Sequence, residues 1–473
     1  MDSRISARAL TAALGGWRTR EPAYEALADG IRLLCLDNRL APRTALPAER
    51  ELAHALSVSR STVAAAYRSL RDSEHIASLR GSGSVTLPLR RRDASRLDAV
   101  DGMIDLQQAT PPAWPGLAGV ISDLASQSAA LVARVGYDVL GRADLREIIA
   151  QRYTDRGIVT SPAEVLVTTG AQSAIHLLGS LLLGRGDRVV IETPTYPHAA
   201  ESLRRAGARL VGVPVTVDDG WDLDRAEQAF ARTLPVLAYL MPDFHNPTGR
   251  SMSEIERATI LSAAERSGSV LILDETTAEL DIDRGPLDPG FPGDSEAVVR
   301  IGSLGKTVWG GLRVGWIRAH SDLIRRLVAV RPAHDLGTPE FEQAVAASVL
   351  ADFDPVVAQR GDLLRSGRDR LAAAIAARLP EWTVPRARGG VSLWIELDAP
   401  LSTPLVLEAR SRGILLTAGP RFAVAGGYDR HLRIPFTAPP DDLEYTIDVL
   451  AQSWRHVREG APARYLETLD AVV

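Results

Sequence analysis

Lysine is almost absent from this sequence. Of the 54 basic residues in the 473-residue chain, 53 are arginine, and Lys306 is the one lysine. Arginine keeps a permanent charge and is a poor nucleophile at neutral pH, whereas a desolvated lysine can lose its proton and form a Schiff base with a carbonyl. The count alone leaves two explanations open: Lys306 serves such chemistry, or an arginine-rich coding bias removed the other lysines.

Cysteine and long apolar runs are scarce as well. Cys35 has no second cysteine in the chain with which to form an internal disulfide, so nothing in the sequence indicates a secreted protein. The first residues lack the basic and apolar regions of a signal peptide, and no apolar run has membrane-spanning length. We therefore expect a cytoplasmic protein with no membrane partner, and this chain length predicts two or three domains.

The net charge of −5 is unevenly distributed along the chain. Residues 1–100 contain 16 arginines against 11 acidic residues, a balance of +5, and the remainder contains 38 basic against 48 acidic residues, a balance of −10. A basic N-terminal part on an acidic remainder suggests a nucleic-acid-binding module. The signal is weak by itself, because a run of charge is usually a solvated surface.

The basic N-terminal part contains a helix-turn-helix pattern. PAERELAHAL predicts one helix and SVSRSTVAAAYRSL a second, which begins after Ser59 as N-cap. The buried stripe of the second helix consists of Val63, Ala66, Tyr67 and Leu70. The short turn between the helices is typical of helix-turn-helix units, and IASLRGSGSVTLP then predicts two short strands that would form a wing. A small helical packing domain with a solvated arginine is the alternative.

The stretch LPAERELAHALSVSRSTVAAAYRSL resembles the GntR-type winged helix-turn-helix, and the resemblance covers residues 21–89. In such a unit the N-terminus of the second helix enters the major groove of double-stranded DNA. The resemblance implies contacts with a DNA operator from that helix start, from the residue after PAE and from the wing. The residues concerned are Arg50, Ser59, Arg60, Ser61, Thr62, Arg80 and Gly81.

A linker and a larger body follow. Residues 90–103 are polar, begin with three arginines and show no apolar periodicity, which predicts a flexible tether.

In residues 104–473, β-rich apolar runs alternate with helical segments: EVLVTTG, DRVVIET, ARLVGVP, VLAYLMP, VLILDE, AVVRIGS and VGWIRA. This alternation predicts an α/β fold with a mostly parallel sheet of about seven strands.

Polar residues stand at the ends of several of these strands, where ligands bind in such sheets. Their types fit pyridoxal 5′-phosphate, which needs a lysine for its aldehyde, an acid for its ring nitrogen and an anion site for its phosphate. Small residues at a helix start favour phosphate binding through backbone N–H groups and the helix dipole. The predicted set is Gly170, Ala171 and Gln172 at that helix start, Asn246 for the ring hydroxyl, Asp274 for the ring nitrogen, Ser303 and Arg313 for the phosphate, and Lys306 for the Schiff base. No metal site is predicted.

The body resembles the class I/II aminotransferases, which are fold-type I pyridoxal-phosphate enzymes, over nearly its whole length. GYDVLGRADLREIIAQRYTDRG is similar to a family stretch whose tyrosine reaches the phosphate of the neighbouring subunit, so Tyr137 implies a homodimer with shared sites. By the same resemblance, Tyr196 in TPTYP stacks on the cofactor, and Arg433 in HLRIPF binds a substrate carboxylate as a bidentate pair. The resemblance also implies a small C-terminal α+β subdomain over roughly residues 335–473.

A GntR-type module fused to an aminotransferase-like body resembles the MocR-like transcription regulators. The step from Lys306 to Arg313 is similar to that subfamily's Lys-Thr-x-x-x-Gly-Leu-Arg pattern. One departure is the absence of a tyrosine shortly after Asp274, where the family has one bonded to the ring hydroxyl. Efficient transamination is therefore not expected.

The leading hypothesis is a regulator that binds DNA, holds pyridoxal phosphate on Lys306 and senses the cofactor or an amino compound. The alternative is an active aminotransferase with an accessory DNA-binding module, which the retained Arg433 keeps open. A DNA-binding scaffold with an inactive body is disfavoured, because the body keeps Lys306.

Overall fold

The computed structural model describes most of the chain. The described residues are 3–14, 17, 22–36, 40–41, 43–73, 75–79, 83–87, 103–133, 135–285 and 295–459. The predicted linker lies outside them except for its last residue, and so do Arg80 and Gly81 of the predicted wing. Among the described residues, no helix is both long and apolar enough to cross a membrane, and no cluster of three or more His, Cys, Asp or Glu side chains could hold a metal ion.

The N-terminal module, defined here as the described residues from 3 to 87, combines helices with a small sheet in the strand order β1-β2-β4-β3. Its elements are β1 (Ser3–Arg4), α1 (Ala7–Leu14), α2 (Ala23–Leu36), β2 (Thr44–Ala45), α3 (Glu49–Leu56), α4 (Arg60–Asp72), β3 (Ile76–Leu79) and β4 (Gly83–Thr86). The antiparallel strands β3 and β4 are the two strands of the predicted wing.

The helix-turn-helix has the local structure that its sequence predicts. The Ser59 side chain accepts a hydrogen bond from the Thr62 backbone N–H at 3.0 Å, which caps α4 as predicted. The four residues of the predicted stripe are at most 1% exposed: Val63, Ala66, Tyr67 and Leu70. Tyr67 also donates its hydroxyl hydrogen to the Pro47 carbonyl at 2.9 Å, so α4 is fixed to the segment just before α3.

Two elements of the N-terminal module precede the region in which the sequence predicts structure. Strand β1 pairs with β2 in parallel, and the Ile5 N–H donates to the Ala45 carbonyl at 3.0 Å. Helix α1 contributes Leu10, which is fully buried in the same core as Leu27 and Ile31 of α2. Because α1 is short, its stability depends on this packing rather than on its own helix propensity.

The body, defined here as the described residues from 103 to 459, begins with β5 (Ile104–Asp105) and contains one large sheet. The sheet strands are β6 (Val165–Thr168), β7 (Arg188–Thr193), β8 (Arg209–Thr216), β9 (Gly220–Trp221), β10 (Leu237–Leu240), β11 (Val270–Asp274), β12 (Val298–Ser303) and β13 (Gly315–Arg318). Their order is β6-β13-β12-β11-β10-β7-β8-β9. The pairs among β8, β7, β10, β11 and β12 are parallel, whereas β13 runs antiparallel to both of its neighbours.

The mostly parallel sheet is confirmed, and all seven predicted strands lie in it. It has eight strands because two-residue β9 adds an antiparallel edge to β8. A strand of this length has no apolar run from which it could be predicted; the only signal is the turn sequence before Gly220, whose φ is 76°.

Helices cover both faces of the large sheet. In β11, Ile272 packs into one apolar cluster while Leu271 and Leu273 pack into another, as expected where successive side chains point to opposite, covered faces. The helices up to the C-terminal part are α5 (Leu117–Ser126), α6 (Ala129–Val132), α7 (Ala143–Asp155), α8 (Ala171–Leu182), α9 (Pro197–Arg205), α10 (Leu223–Thr233), α11 (Glu254–Ser267), α12 (Ser321–Val330) and α13 (Glu340–Leu350).

The C-terminal part of the body has its own small sheet and apolar core. Strands β14 and β16 both pair antiparallel with β17, and a separate parallel pair joins β15 to β5. The elements are α14 (Asp354–Arg378), β14 (Ser392–Glu396), α15 (Ser402–Ser411), β15 (Ile414–Leu415), β16 (Thr417–Ala418), β17 (His431–Pro435) and α16 (Pro440–Arg458). Through β5 and β15, the first described segment after the linker is fixed to this C-terminal part.

Candidate functional site

A cavity of about 590 Å³ opens between the strand ends of the large sheet and the C-terminal part. Most of the predicted cofactor and substrate residues line it: Ala171, Gln172, Tyr196, Asn246, Asp274, Ser303, Lys306, Arg313 and Arg433. Asp274 and Ser303 are the last residues of β11 and β12, so the sheet itself places them at the cavity. Residues spread over 263 positions of the chain, from 171 to 433, thus meet at one site.

Lys306 lies in the turn after β12. Its Nζ donates hydrogen bonds to the Ala109 carbonyl at 2.9 Å and to Thr110 Oγ1 at 2.8 Å. Burial, with the charges of Arg433 and Arg313 acting in the same direction, lowers the pKa of Lys306 to about 8. A substantial fraction of the amine is therefore neutral near physiological pH, which is the form that attacks a carbonyl.

Asp274 is 2% exposed and faces the same cavity. Tyr239 donates its hydroxyl hydrogen to Asp274 Oδ2 at 2.5 Å, and the Thr276 N–H donates to Oδ1 at 3.0 Å. Burial raises the pKa of Asp274, and these two donors act against that rise. Burial of Tyr239 and the nearby Asp274 carboxylate raise the pKa of Tyr239 well above its usual value. Tyr239 is therefore the proton donor of the pair.

The start of α8 and Arg313 form the predicted anion site. Gly170 precedes α8 with φ 79°, and a Cβ at this position would lie 2.7 Å from Arg313 Nη2. Arg313 Nη2 donates to the Thr169 carbonyl at 3.0 Å, which holds the guanidinium beside the helix N-terminus. Ser303 Oγ accepts from the Gly305 N–H at 3.1 Å and so orders the turn that carries Lys306.

Arg433 on β17 is 6% exposed and faces the cavity. It donates to the Gln107 carbonyl and, at 3.5 Å, to Asn246 Oδ1, and its guanidinium carbon lies 5.0 Å from the centre of the Phe422 ring. Burial lowers the pKa of Arg433 to about 10, so it stays charged at neutral pH. Burial and Asp274 raise the pKa of Tyr196 to about 12, so its hydroxyl stays protonated.

Tyr137 does not line this cavity. Its side chain is 72% exposed, and it lies in the connection between α6 and α7 together with the exposed Val135. The role predicted for Tyr137 is a contact with the cofactor phosphate of a second subunit. The structure contains one chain, so this role stays a prediction.

Several cavity residues have no sequence motif that singles them out. Tyr239 sits inside an apolar strand, where its hydroxyl is not conspicuous, and Thr110 lies in an irregular segment. His198, in the first turn of α9, and Arg421, in a 3-10 helix, also line the cavity. Thr276 occupies the stretch where the family tyrosine was expected, and its hydroxyl is too short to replace a phenol.

Two of the predicted DNA-binding residues meet at one cleft of the N-terminal module. Arg50 and Arg60 line a cleft of about 850 Å³, together with Arg4 of β1 and with Gly83 and Ser84 of the wing. The Arg60 side chain is 73% exposed, and its nearest acidic partner is Glu49 at 3.6 Å. An exposed ion pair of this length contributes little, so Arg60 is available to a phosphate or a base edge.

Ser59, Ser61 and Thr62 form one hydroxyl cluster at the start of α4. Ser59 Oγ lies 2.7 Å from Ser61 Oγ and 2.8 Å from Thr62 Oγ1. Because Ser59 also caps the helix, its oxygen is largely engaged within the protein. The exposed Ser61 hydroxyl is the freer one, and Thr62 is half-buried.

The cavity fits pyridoxal phosphate in three respects. Gln172 Oε1 and Arg433 Nε are buried without a hydrogen-bond partner among the described residues, as expected of groups that await a ligand. The glycine before α8 lets the Arg313 guanidinium approach the helix N-terminus closely, and the guanidinium and the backbone N–H groups there together favour an anion. Asp274 supplies a buried carboxylate in the cavity lining for a protonated ring nitrogen.

Comparisons with known protein families agree with both parts of the chain. Residues 129–450 match the family described as aminotransferase class I and II, and residues 23–85 match the bacterial regulatory proteins of the gntR family. Since the first match spans more than half of the chain, the chain belongs to the aminotransferase class I and II family. The GntR winged helix-turn-helix and the fold-type I body are both confirmed.

Individual proteins match the chain over different shares of its length. A 2-aminoadipate transaminase of Thermus thermophilus is 31% identical over 307 residues, 63% of this chain and 75% of that protein. YdfD of Bacillus subtilis, an uncharacterized HTH-type transcriptional regulator, is 28% identical over 442 residues, 85% of this chain and 90% of that protein. The crystal structure of LysN, an alpha-aminoadipate aminotransferase of Thermus thermophilus complexed with N-(5′-phosphopyridoxyl)-L-leucine, has a TM-score of 0.70 at 26% identity and covers 78% of this chain and 96% of that one.

The fold and the cavity define a pyridoxal-phosphate-binding protein of the aminotransferase class with a fused DNA-binding module. That architecture is the one of the MocR-like transcription regulators, and the predictions of a DNA-binding regulator and of pyridoxal 5′-phosphate as its cofactor are confirmed at this level.

Proposed function

We propose that this protein regulates transcription as a cytoplasmic homodimer, and that ligand exchange at Lys306 sets how its N-terminal modules bind DNA. The effector is the cofactor itself or an amino compound that exchanges with it. The observation that carries the proposal is the position of residues 104–110, the first segment after the predicted linker, against both Lys306 and Arg433.

The coupling segment, residues 104–110, lines the cavity over its second half, from Gln107 to Thr110. The Gln107 carbonyl accepts from Arg433, and the Ala109 carbonyl and Thr110 Oγ1 accept from Lys306 Nζ. At its beginning, β5 pairs with β15 of the C-terminal part. Since the segment continues from the predicted linker, any change in these contacts acts on the chain that leads to the N-terminal module.

Ligand binding changes these contacts directly. With the cofactor bound to Lys306, the lysine nitrogen would have fewer hydrogens to donate to Ala109 and Thr110. A carboxylate paired with Arg433 competes with the Gln107 carbonyl for the same guanidinium. The cofactor at Lys306 and a carboxylate at Arg433 would therefore each favour one conformation of the coupling segment over another. Such a difference in binding is the condition for a ligand to shift a conformational equilibrium.

Bound in the cavity, pyridoxal phosphate supplies an aldehyde that condenses reversibly with primary amines. Arg313 and the start of α8 would hold its phosphate, Asp274 its ring nitrogen and Asn246 its ring hydroxyl, with Tyr196 against the ring. No phenol follows Asp274 in the chain, so we expect transamination of common amino acids to be slow, and sensing rather than turnover to be the role of the body.

The exposed apolar residues near Tyr137 support the homodimer. Tyr137, Val132 and Val135 are 72%, 78% and 88% exposed; Val132 ends α6, and the other two lie in the connection from α6 to α7. Large apolar side chains clustered this way mark an interaction surface. We propose that a second subunit covers them and that Tyr137 reaches its cofactor phosphate.

Borohydride reduction and DNA recovery together test this proposal. Reduction of the purified protein should fix one pyridoxyl group per chain on the peptide that contains Lys306. Lys306→Ala and Lys306→Arg should both lose the label while the chain stays folded, because neither side chain forms a Schiff base. Genomic fragments bound by the same preparation should share a sequence. A label only on the N-terminal amine, or fragments without a common sequence, would contradict it.

A further inference from the structure

The cofactor and a simple amino acid do not supply a separate anionic partner for every basic side chain that lines the cavity. Among the described lining residues, four are basic, namely Lys306, Arg313, Arg421 and Arg433, and Asp274 is the one acid. Under the proposed function, Lys306 is joined to the cofactor, Arg313 faces its phosphate, Asp274 its ring nitrogen and Arg433 a carboxylate. Arg421 is left without an anion from the ligand.

Arg421 is fixed near Arg433. It lies in the short 3-10 helix Gly419–Phe422, directly before Phe422, whose ring packs under the Arg433 guanidinium. The Thr195 N–H donates to the Phe422 carbonyl at 2.9 Å, which ties this turn to the loop that carries Tyr196. His198, in the first turn of α9, also lines the cavity: burial lowers the pKa of His198, and the charges of Arg421 and Arg433 act in the same direction, against Glu201.

The protein's own partner for Arg421 is a loose one. Arg421 Nη2 lies 3.7 Å from Glu201 Oε2, an ion-pair distance beyond that of a hydrogen bond. Glu201 is shared with Arg205 at 3.2 Å and with His198 at 3.9 Å. The Arg421 side chain is only 21% exposed, so most of its surface faces protein or cavity rather than bulk water. A guanidinium has five N–H donors, and one shared carboxylate leaves most of them available.

We propose that the amino compound sensed by this protein carries a second carboxylate, and that Arg421 binds it while Arg433 binds the first. The inference rests on the proposed function and specifies the effector of that same cavity. Arginine suits this task because its planar guanidinium pairs with a carboxylate bidentately. In a cavity partly closed to water, the attraction between Arg421 and a carboxylate is less screened than at the surface.

Titration of the cofactor-loaded protein with L-glutamate and with L-glutamine tests the proposal, because the two differ in charge and hardly in shape. The readout is the change in visible absorbance as the amino acid displaces Lys306. We expect an apparent Kd about ten-fold or more lower for glutamate, the range of one charged hydrogen-bonded pair. Arg421→Gln should remove this preference, and Arg421→Lys should restore part of it.

Arg205→Gln is the matched control. It also removes a positive charge that contacts Glu201, but the Arg205 side chain is 77% exposed and does not line the cavity. The glutamate preference should survive in this variant. Equal Kd values for the two amino acids in the wild type would overturn the inference, and so would equal losses of preference in the Arg421 and Arg205 variants.

The outcomes also separate this inference from the proposed function. Absorbance that responds to both amino acids alike contradicts only the role of Arg421. A protein whose absorbance shows no cofactor on Lys306 contradicts the proposed function, and the inference fails with it.

Discussion

Tyr239 donates its hydroxyl hydrogen to Asp274 Oδ2 at 2.5 Å, and both residues are buried. The bond joins the neighbouring strands β10 and β11 of the large sheet. The bond orients the carboxylate that faces the ring-nitrogen position of the cavity. It also opposes the rise in the pKa of Asp274 that burial causes. Tyr239 is thus a positioning residue for the cofactor, and it lies outside every motif of the family resemblance.

Tyr239→Phe should weaken cofactor binding and make it more sensitive to acid. Without the phenol, the pKa of Asp274 rises further, so the carboxylate is protonated at a higher pH. Cofactor retention depends on the ionised carboxylate; it is present above the pKa of Asp274 and is lost as the pH falls through it. The pH at which half of the cofactor is released should therefore be higher in the variant. The loss of one buried charged hydrogen bond should cost about 1.5–3 kcal/mol of binding or stability.

Tyr153→Phe is the control for that change. Tyr153 is also buried and donates to a carboxylate, Glu275 Oε2, at 3.0 Å. Its removal should leave the acid sensitivity of cofactor binding unchanged. If both variants release cofactor at the same pH as the wild type, Tyr239 does not act on Asp274 as described.

The lowered pKa of Lys306 predicts how cofactor uptake depends on pH. Only the neutral amine reacts, so the uptake rate of the cofactor-free protein should rise with pH and level off above about 8. If Lys306 had the ordinary lysine pKa of 10.5, the uptake rate would keep rising toward that pH. Arg433→Gln removes one of the charges that lower this pKa, so its curve should lie at higher pH. Stopped-flow absorbance measures the rate, and a wild-type curve that still rises steeply above pH 9.5 would exclude the lowered pKa.

Arg60 should contribute specific affinity for DNA. If it contacts a base edge from the start of α4, Arg60→Ala should weaken binding to the selected sequence by about 1–3 kcal/mol. Arg68→Ala is a matched control, since Arg68 is exposed on the same helix but does not line the cleft of the N-terminal module. Equal effects of the two changes in a fluorescence-anisotropy titration would place the DNA elsewhere on this module.

Helix α1 should stabilise the N-terminal module selectively. Leu10→Ala leaves a cavity in a fully buried position, and such changes cost about 2–5 kcal/mol. DNA binding of the full chain should be lost at a lower temperature than in the wild type, while the visible absorbance of the bound cofactor should melt as before. Ala12→Ser on the exposed side of α1 is the control. An unchanged melting of DNA binding in Leu10→Ala would show that α1 does not support the module.

Local signals in the sequence predicted much of this structure. Ser59 is a cap because its neighbours in the chain complete the hydrogen bond, and Asp274 is at a cavity because the apolar run before it is a parallel strand. Contacts between distant residues were not predictable in this way. The bond from Lys306 to Thr110 joins positions 196 residues apart, and Arg421 has no neighbouring pattern that places it near Arg433. The strand β1 is too short to have a periodicity, and only its pairing with β2 defines it.

The central claim is that cofactor at Lys306 changes DNA binding, and one titration tests it directly. The affinity for the selected DNA is measured for the cofactor-free wild type, for the loaded wild type and for Lys306→Ala with the same added cofactor. We predict that loading changes the affinity of the wild type several-fold and that Lys306→Ala responds much less. An affinity that is the same with and without cofactor, in a protein that rapidly transaminates amino acids through many turnovers, would contradict the account and identify the protein as an enzyme.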